Sequence, residues 1–232
     1  MREEVISLGC PPEKARVHRL GVMLDDIPYE PRSWRPGEPL RVLIAATFRE
    51  KKGIPYAIRA LGLLQRDVEL EVTVVGGATA EERSQHEERR ILEAIEETGL
   101  GPRVRLLGFQ PQDALRREAR RAHVFLSPSV KAADGDTEGG APVSIIEMAA
   151  SGMAIVSTTH CDIPGVIEDG VTGYLAPERD VDALADCLRR LIGSAGQWRP
   201  MLDAGRARMQ RDFSACGQGE KLAAVYRRGT EQ

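Results

Sequence analysis

Three basic side chains crowd one short turn of the sequence. Arg49, Lys51 and Lys52 precede Gly53, just after an apolar run that ends at Thr47. Guanidinium and ammonium groups placed in this way can hold an anion such as a phosphate. A basic turn that is simply solvated has the same composition. The spacing alone therefore leaves an anion site and a solvated turn as alternatives.

A glycine pair marks a second candidate site. Gly139, Gly140 and Ala141 come directly before Pro142, a residue that suits the first turn of a helix, here predicted over residues 142–150. Glycines let backbone amides approach a ligand closely, and the start of a helix favours negative charge. The segment is therefore a candidate cradle for a diphosphate.

Glu147 is the only ionisable residue between positions 141 and 156. A carboxylate in so apolar a helix needs a hydrogen-bond donor, because burying it unpaired is costly. That donor is either a ligand hydroxyl or a protein group, and a capping or core-paired acid is the structural alternative.

Alternating strands and helices predict how these residues are positioned. Apolar runs indicate strands over residues 41–47, 70–75, 104–107, 123–126, 154–157 and 173–175, and helical spacing indicates helices over residues 54–64, 81–97, 113–121, 142–150 and beyond 180. This order predicts a Rossmann-like, three-layer α/β/α fold with a mainly parallel sheet.

Ligands of such sheets bind beyond the carboxyl ends of the strands. The turns that would meet there are residues 47–53, 76–77, 108–109, 127–140 and 158–160. His160 at the last of these ends either lines the cleft or caps the turn, whereas His86, among charged residues on a helix, is expected to be solvated.

Composition excludes several classes of protein. The 232 residues include 32 Lys and Arg against 35 Asp and Glu, so the net charge of −3 gives no reason to expect a nucleic-acid partner. Four scattered cysteines fit reduced thiols in the cytoplasm, and the sequence predicts neither a membrane helix nor a signal peptide. No G-x-G-x-x-G follows the first strand, which argues against a nicotinamide-dependent dehydrogenase. A nucleotide-binding or scaffolding module without catalysis remains an alternative.

Four prolines between residues 27 and 39 predict a linker. The predicted domain covers residues 39–232 and includes the C-terminal helices. Because Met1 leads directly into an apolar face at Val5, Ile6 and Leu8, as in the middle of a helix, the chain is expected to be a fragment of a longer protein.

Four motifs carry a resemblance to a known family. They are Phe48-Arg-Glu-Lys-Lys-Gly-Ile, Leu107-Gly-Phe, Glu138-Gly-Gly-Ala-Pro-Val-Ser-Ile-Ile-Glu-Met-Ala-Ala-Ser-Gly and Ile163-Pro-Gly-Val-Ile-Glu-Asp-Gly-Val-Thr-Gly-Tyr-Leu. In order and spacing they resemble the carboxyl-terminal, donor-binding domain of the "glycosyl transferases group 1" family (family 4). Members of that family are retaining enzymes of the GT-B fold, of which this chain would be one half.

The resemblance implies roles for individual residues. Lys52 matches the family's diphosphate lysine, while the family's partner arginine falls on Thr47, so that Arg49 is a candidate replacement. Glu138 resembles the acid that faces the sugar, and Glu147 matches the acid that holds the ribose. Backbone groups of the family commonly meet the base at the position of Gly108 and Phe109.

One departure concerns the spacing of the two acids. Eight residues separate Glu138 from Glu147, where the family motif has seven. Either Gly139 and Gly140 absorb the extra residue as a bulged turn, or the sugar-facing acid is displaced.

The resemblance also implies the reaction. A hexose-type sugar would pass from a UDP- or GDP-sugar to a hydroxyl of a saccharide or lipid-linked acceptor, with retention, in polysaccharide or glycolipid synthesis. No cofactor or metal is expected. Residues 1–38 would be the interdomain linker and the tail of a missing amino-terminal domain, which would bind the acceptor. The full-length enzyme would work in the cytoplasm, at the inner face of the membrane.

Overall fold

A single parallel sheet forms the centre of the protein. The computed structural model describes residues 2–230, with side chains up to residue 227, and Met1 lies outside the described residues. Its six strands are β1 (Leu40–Ala45), β2 (Leu70–Val75), β3 (Val104–Leu106), β4 (Val124–Ser127), β5 (Ala154–Thr158) and β6 (Tyr174–Ala176). They follow the order β3-β2-β1-β4-β5-β6 and all pair in parallel. The predicted Rossmann-like, three-layer fold is confirmed.

Helices cover both faces of this sheet. They are α1 (Arg2–Ser7), α2 (Ile54–Leu64), α3 (Glu82–Thr98), α4 (Gln112–Arg121), α5 (Val143–Ala150), α6 (Ile163–Val166), α7 (Val181–Gly193), α8 (Trp198–Phe213) and α9 (Ala215–Thr230). The predicted helix bounds agree with these to within one residue wherever both ends were predicted. Helix α5 starts at Val143, so Pro142 stands just before the helix and not inside its first turn.

Alternate residues of the strands pack into two hydrophobic clusters, one on each face of the sheet. Val42 and Ile44 of β1 join a cluster that includes residues of α2, α3 and α7, whereas Leu43 belongs to a second cluster with residues of α5 and α8. Side chains of a strand point alternately to opposite faces, so a strand buried on both faces must be apolar throughout. This explains why the central strands β1, β4 and β5 are mainly apolar in the sequence.

The proline-rich segment packs on the domain. Trp34 is buried, and its indole Nε1 donates a hydrogen bond to the Glu38 carbonyl at 2.9 Å. The Arg206 guanidinium donates to the carbonyls of Ile27 at 3.1 Å and Ala150 at 2.9 Å. Residues 27–39 are therefore docked against α5 and α8, and the domain boundary at residue 39 stays a prediction.

The last helix differs from the sequence pattern in one respect. Leu222 and Val225 are exposed on α9, although Leu184, Leu188 and Leu191 of α7 are buried as helical spacing predicts. Periodicity therefore identified the helix but not its exposure, because what covers a face depends on other parts of the molecule.

Stability is expected to fall in acid because of His123, a buried residue at the amino end of β4. Burial lowers its pKa to about 4, aided by the charges of Arg41 and Arg32. The unfolded chain, with an imidazole pKa of about 6.5, binds the proton first. The contribution to stability is therefore complete above pH 6.5 and is lost as the pH falls towards 4. Urea unfolding at stepped pH values measures this loss, which should be absent in His123→Gln; an unchanged pH dependence in that variant would contradict the assignment.

Candidate functional site

The basic turn and the acidic loop meet at the carboxyl edge of the sheet. A Cβ at Gly53, whose φ is +64°, would lie 1.8 Å from the carbonyl oxygen of Pro128, so only glycine fits this approach. The Val130 amide donates to the Lys51 carbonyl at 2.9 Å. The turn after β1 is thus fastened to the long loop that follows β4.

Lys52 and Glu138 form an ion pair across this contact. Lys52 Nζ lies 2.8 Å from Glu138 Oε2, and the Ser129 hydroxyl donates to Glu138 Oε1, also at 2.8 Å. The Glu138 side chain is 6% exposed and that of Lys52 is 23% exposed. The two residues that the family resemblance assigns to the diphosphate and the sugar are therefore in direct contact.

Asp136 takes up the other two basic residues of the turn. Its carboxylate lies 2.7 Å from an Arg49 guanidinium nitrogen and 3.1 Å from Lys51 Nζ. Although desolvation raises the pKa of Asp136, the hydrogen bond and charge of Lys51 and the charge of Arg49 bring it below its usual value. Arg49 thus points to an internal carboxylate, and its contact with a phosphate stays a prediction.

Two glycines, Gly139 and Gly140, lie between Glu138 and α5. Gly139 has a φ of +71°, and the positions of Cβ atoms at Gly139 and Gly140 would be open space. The Gly139 amide donates to Thr137 Oγ1 at 3.2 Å, whereas within residues 2–230 no protein acceptor takes the Gly140 amide. Ala141 and Pro142 then lead into the positive end of α5. The left-handed Gly139 is compatible with the bulged turn that is one of the two alternatives for the spacing of the acids.

Glu147 opens onto a small cavity instead of the core. It is partly exposed, and it lines a space of about 150 Å³ together with Gln112 and Arg116 of α4 and Ile27 and Pro28 of the docked segment. Burial raises the pKa of Glu147, and the Arg116 charge offsets part of that rise. The expectation of a fully buried carboxylate needs correction, since one side of this helix faces the cavity.

The carboxyl ends of β2 and β3 carry an exposed aromatic ring. Phe109 is 59% exposed, and a Cβ built at Gly77 would lie 3.4 Å from its ring. The Gly76 amide donates to the Gly108 carbonyl at 2.9 Å, which ties the two strand ends together. Thr47, two residues after the end of β1, is also partly exposed. A flat ring supported by glycine can stack against a base.

The two histidines differ as their positions suggest. His86 is exposed on α3, whereas His160 is buried and its Nε2 accepts a hydrogen bond from the Glu138 amide at 3.2 Å. Sequence reasoning missed three further contributors: Ser129, Asp136 and Glu178. Ser129 and Asp136 lie in a segment that was recognised only as a polar loop, and Glu178 lies after β6, where no motif marked it.

The assembled edge is suited to holding a phosphorylated ligand. It offers a lysine, the Gly140 amide just before a helix start, a half-buried acid for hydroxyl groups and an aromatic ring. Within residues 2–230, no group of three or more His, Cys, Asp or Glu side chains is arranged to hold a metal ion. In the same part of the chain, no helix is both long and apolar enough to cross a membrane.

Comparison with solved structures agrees with the fold. The sucrose-phosphate synthase of Thermosynechococcus elongatus superposes with a TM-score of 0.80 at 22% identity, over 99% of this chain and 57% of that chain. HepE of Anabaena, solved in complex with UDP and glucose, gives a TM-score of 0.80 at 18% identity, over 97% of this chain and 60% of that chain. Both likenesses concern the fold, which is a Rossmann-like half of the GT-B type.

Comparison of sequences identifies the family. The chain is 36% identical over 228 residues to the amylovoran biosynthesis glycosyltransferase AmsK of Erwinia amylovora, covering 98% of this chain and 54% of that protein. It thus spans about half the length of this relative. The model of the family "Glycosyl transferases group 1" matches residues 39–194, and the chain therefore belongs to the group 1 glycosyl transferases.

Proposed function

We propose that this chain is the nucleotide-sugar-binding domain of a glycosyltransferase that moves a hexose from a UDP- or GDP-sugar to an acceptor hydroxyl with retention. The observation that carries the proposal is the meeting of Lys52, Glu138 and the turn at Gly139 and Gly140, where the Gly140 amide has no acceptor among the described residues, at one edge of the sheet. Such an edge is where α/β folds hold phosphorylated ligands. The complex of the structurally similar HepE with UDP and glucose supports a uridine nucleotide as the first candidate.

In this proposal, each part of the donor has its own contact. The base stacks on Phe109 and meets the backbone of Gly108 beside Thr47, and the ribose hydroxyls donate to Glu147. Lys52 and the backbone amides of Gly140 and Ala141 hold the diphosphate, with Arg49 as a second cation, and Glu138 faces the hexose.

Catalysis then depends on stabilising the leaving diphosphate. As the glycosidic bond breaks, negative charge grows on the β-phosphate, where Lys52 and the start of α5 lower its energy. The start of α5 is fixed by the fold, whereas Lys52 must turn part of its charge from Glu138 to the phosphate. Neither a metal ion nor a cofactor is part of the proposed mechanism.

The acceptor belongs to a second, amino-terminal domain in this proposal. The matched relative is about twice as long as the aligned region, which leaves room for such a domain. AmsK is named for amylovoran biosynthesis, which favours a saccharide or lipid-linked acceptor and a role in polysaccharide synthesis. We place the whole enzyme in the cytoplasm, at the inner face of the membrane.

One experiment tests the donor class directly. Melting temperatures of the chain are measured with UDP, GDP, ADP and NAD, each at increasing concentration. Ligands that bind only the folded state raise the melting temperature, and at equal concentration the ligand that binds more tightly raises it more. UDP or GDP should stabilise the protein most. Stabilisation by NAD alone, or by none of the four nucleotides, would contradict the proposal.

Replacing Glu147 by Gln should weaken nucleotide binding by about 0.5–1.5 kcal/mol, because a charged acceptor for the ribose hydroxyls becomes a neutral one. Stability should change little, since Glu147 is partly exposed and faces a cavity. Calorimetric titration with UDP or GDP measures the loss of affinity. A 2′,3′-dideoxy nucleotide, which lacks the hydroxyls, is the control and should bind both proteins equally. Normal affinity in a less stable variant would instead assign Glu147 a structural role.

A further inference from the structure

His160 is placed where it can control the backbone of the sugar-facing acid. It follows β5, its side chain is 2% exposed, and its Nε2 lies 3.2 Å from the Glu138 amide nitrogen. On the other side of the ring, Nδ1 lies 2.7 Å from Glu178 Oε1. The imidazole therefore links Glu138, in the loop after β4, to Glu178, in the turn after β6.

The partners of the ring determine which nitrogen carries the proton. A carboxylate only accepts hydrogen bonds, and a backbone amide only donates them. Nδ1 must therefore carry the hydrogen that Glu178 accepts, and Nε2 must offer its lone pair to the Glu138 amide and to the Cys161 thiol, whose sulfur lies 3.1 Å away. The ring acts here as an acceptor for one particular backbone group, an arrangement that few side chains can reproduce.

Glu178 extends the link to a second point of the same loop. Its Oε2 accepts a hydrogen bond from the Lys131 amide at 2.7 Å, and the neighbouring Arg179 guanidinium donates to the Lys131 carbonyl. Although desolvation raises the pKa of Glu178, the bonds from the Lys131 amide and His160 bring it below its usual value. An ionised Glu178 thus holds the loop at Lys131 and, through His160, at Glu138.

We propose that His160 is a positioning residue that fixes the backbone of Glu138, so that this carboxylate is aimed at the hexose of the donor. Glu138 needs such support because the segment between it and α5 contains two consecutive glycines, Gly139 and Gly140, the first in the left-handed conformation. Its side chain is oriented by Lys52 and Ser129, and its backbone by His160. The inference rests on the proposed function, in which Glu138 faces the sugar.

Two substitutions separate the roles of the two ring nitrogens. The side-chain amide of Asn in His160→Asn reaches the position of Nδ1 and can still donate to Glu178, but it offers nothing at the position of Nε2. The longer side chain in His160→Gln places an acceptor near Nε2. Only the first variant should lose the bond from the Glu138 amide, which hydrogen exchange at that amide reports directly.

Donor binding gives the functional result. Calorimetry measures the dissociation constants of UDP and UDP-glucose, and of GDP and GDP-mannose, for the same chain. In His160→Asn the affinity for the nucleotide sugar relative to the free nucleotide should fall about five- to tenfold, the effect of one ordinary hydrogen bond. The affinity for the free nucleotide should stay within about twofold, since the diphosphate and ribose contacts remain. His160→Gln should keep most of the original ratio.

His123 supplies the matched control. This buried histidine also accepts a backbone amide, from Arg41 to Nδ1 at 3.1 Å, but at the opposite end of the sheet. His123→Gln removes that acceptor and should leave the ratio unchanged. An unchanged ratio in His160→Asn, an equal fall in His123→Gln, or failure of His160→Asn to fold would overturn the positioning role. If the unmodified chain binds neither UDP nor GDP, the proposed function falls, and the positioning role falls with it.

Discussion

Replacing Lys52 by Ala is expected to weaken binding of the nucleoside diphosphate by about 1.5–3 kcal/mol, which is roughly a 10- to 150-fold rise in the dissociation constant. The expected loss is that of a charge-assisted hydrogen bond between an ammonium group and a phosphate oxygen. Lys52 is partly shielded from water, with a side chain that is 23% exposed, so bulk solvent screens this bond only in part. Calorimetric titration with UDP and GDP measures the loss.

The ion pair between Lys52 and Glu138 competes with the binding of the diphosphate. In the protein without ligand, Lys52 Nζ lies 2.8 Å from Glu138 Oε2. A diphosphate must therefore share Lys52 with Glu138 or replace it, and the measured affinity is the difference between these two contacts. Lys52→Ala also leaves Glu138 with the Ser129 hydroxyl as its remaining side-chain donor. We therefore expect the variant to melt at a lower temperature, and affinities should be compared well below that temperature.

Lys51 offers a control, because it is similar to Lys52 in charge and exposure but its side chain pairs with a different carboxylate. It is the adjacent residue, its side chain is 22% exposed, and it forms an ion pair with Asp136 at 3.1 Å. Lys51→Ala removes the same charge from the same turn, so any effect of net charge on nucleotide binding appears in both variants. Binding should be several-fold weaker in Lys52→Ala than in Lys51→Ala. Equal losses in the two variants would reduce the role of Lys52 to general electrostatic attraction.

The strands and most helices could be predicted because their signals are local. A parallel strand covered on both faces must be mainly apolar, and β1, β4 and β5 have that character in the sequence, whereas β2 carries the exposed Glu71. The order of strands and helices then restricts the topology to few choices. The same topology brings the turns after β1 and β4 together, which is why Lys52 and Glu138, 86 residues apart, are in contact.

Other parts of the site depend on contacts that have no local signal. Asp136 pairs with Arg49, which is 87 residues away in the chain. Nothing in the sequence around either residue indicates that this carboxylate lies within hydrogen-bond distance of the guanidinium group. Glu178 is an ordinary acid before a helix until the fold places it beside His160. The exposure of Glu147 likewise depends on the cavity formed by α4 and the docked segment. Residue types thus predicted the chemistry of the edge, while the partners of each group required the three-dimensional arrangement.

The chain by itself is expected to bind the donor and to transfer no sugar. Every proposed donor contact comes from one sheet edge of this domain, so binding of UDP or GDP should survive in isolation. The acceptor, in the proposed function, is held by an amino-terminal domain across the cleft. Orienting two reactants accounts for about 7–11 kcal/mol of catalysis, which is roughly five to eight orders of magnitude in rate. Without the second domain, water also reaches the donor freely, and the site loses the exclusion of solvent that strengthens its electrostatic contacts.

The test compares this chain with the enzyme restored to full length, at equal concentrations and with the same candidate donors and acceptors. Release of UDP or GDP is measured together with the transferred sugar, so that hydrolysis of the donor is distinguished from transfer. The full-length enzyme should transfer the sugar, and the chain alone should give at most slow hydrolysis although calorimetry shows that it binds the nucleotide. Lys52→Ala in the full-length enzyme should lower transfer as well, which ties the activity to the site described in this domain. Transfer by the chain alone at a rate close to that of the full-length enzyme would show that the acceptor site lies within residues 1–232, and the assignment of the acceptor to a second domain would have to be abandoned.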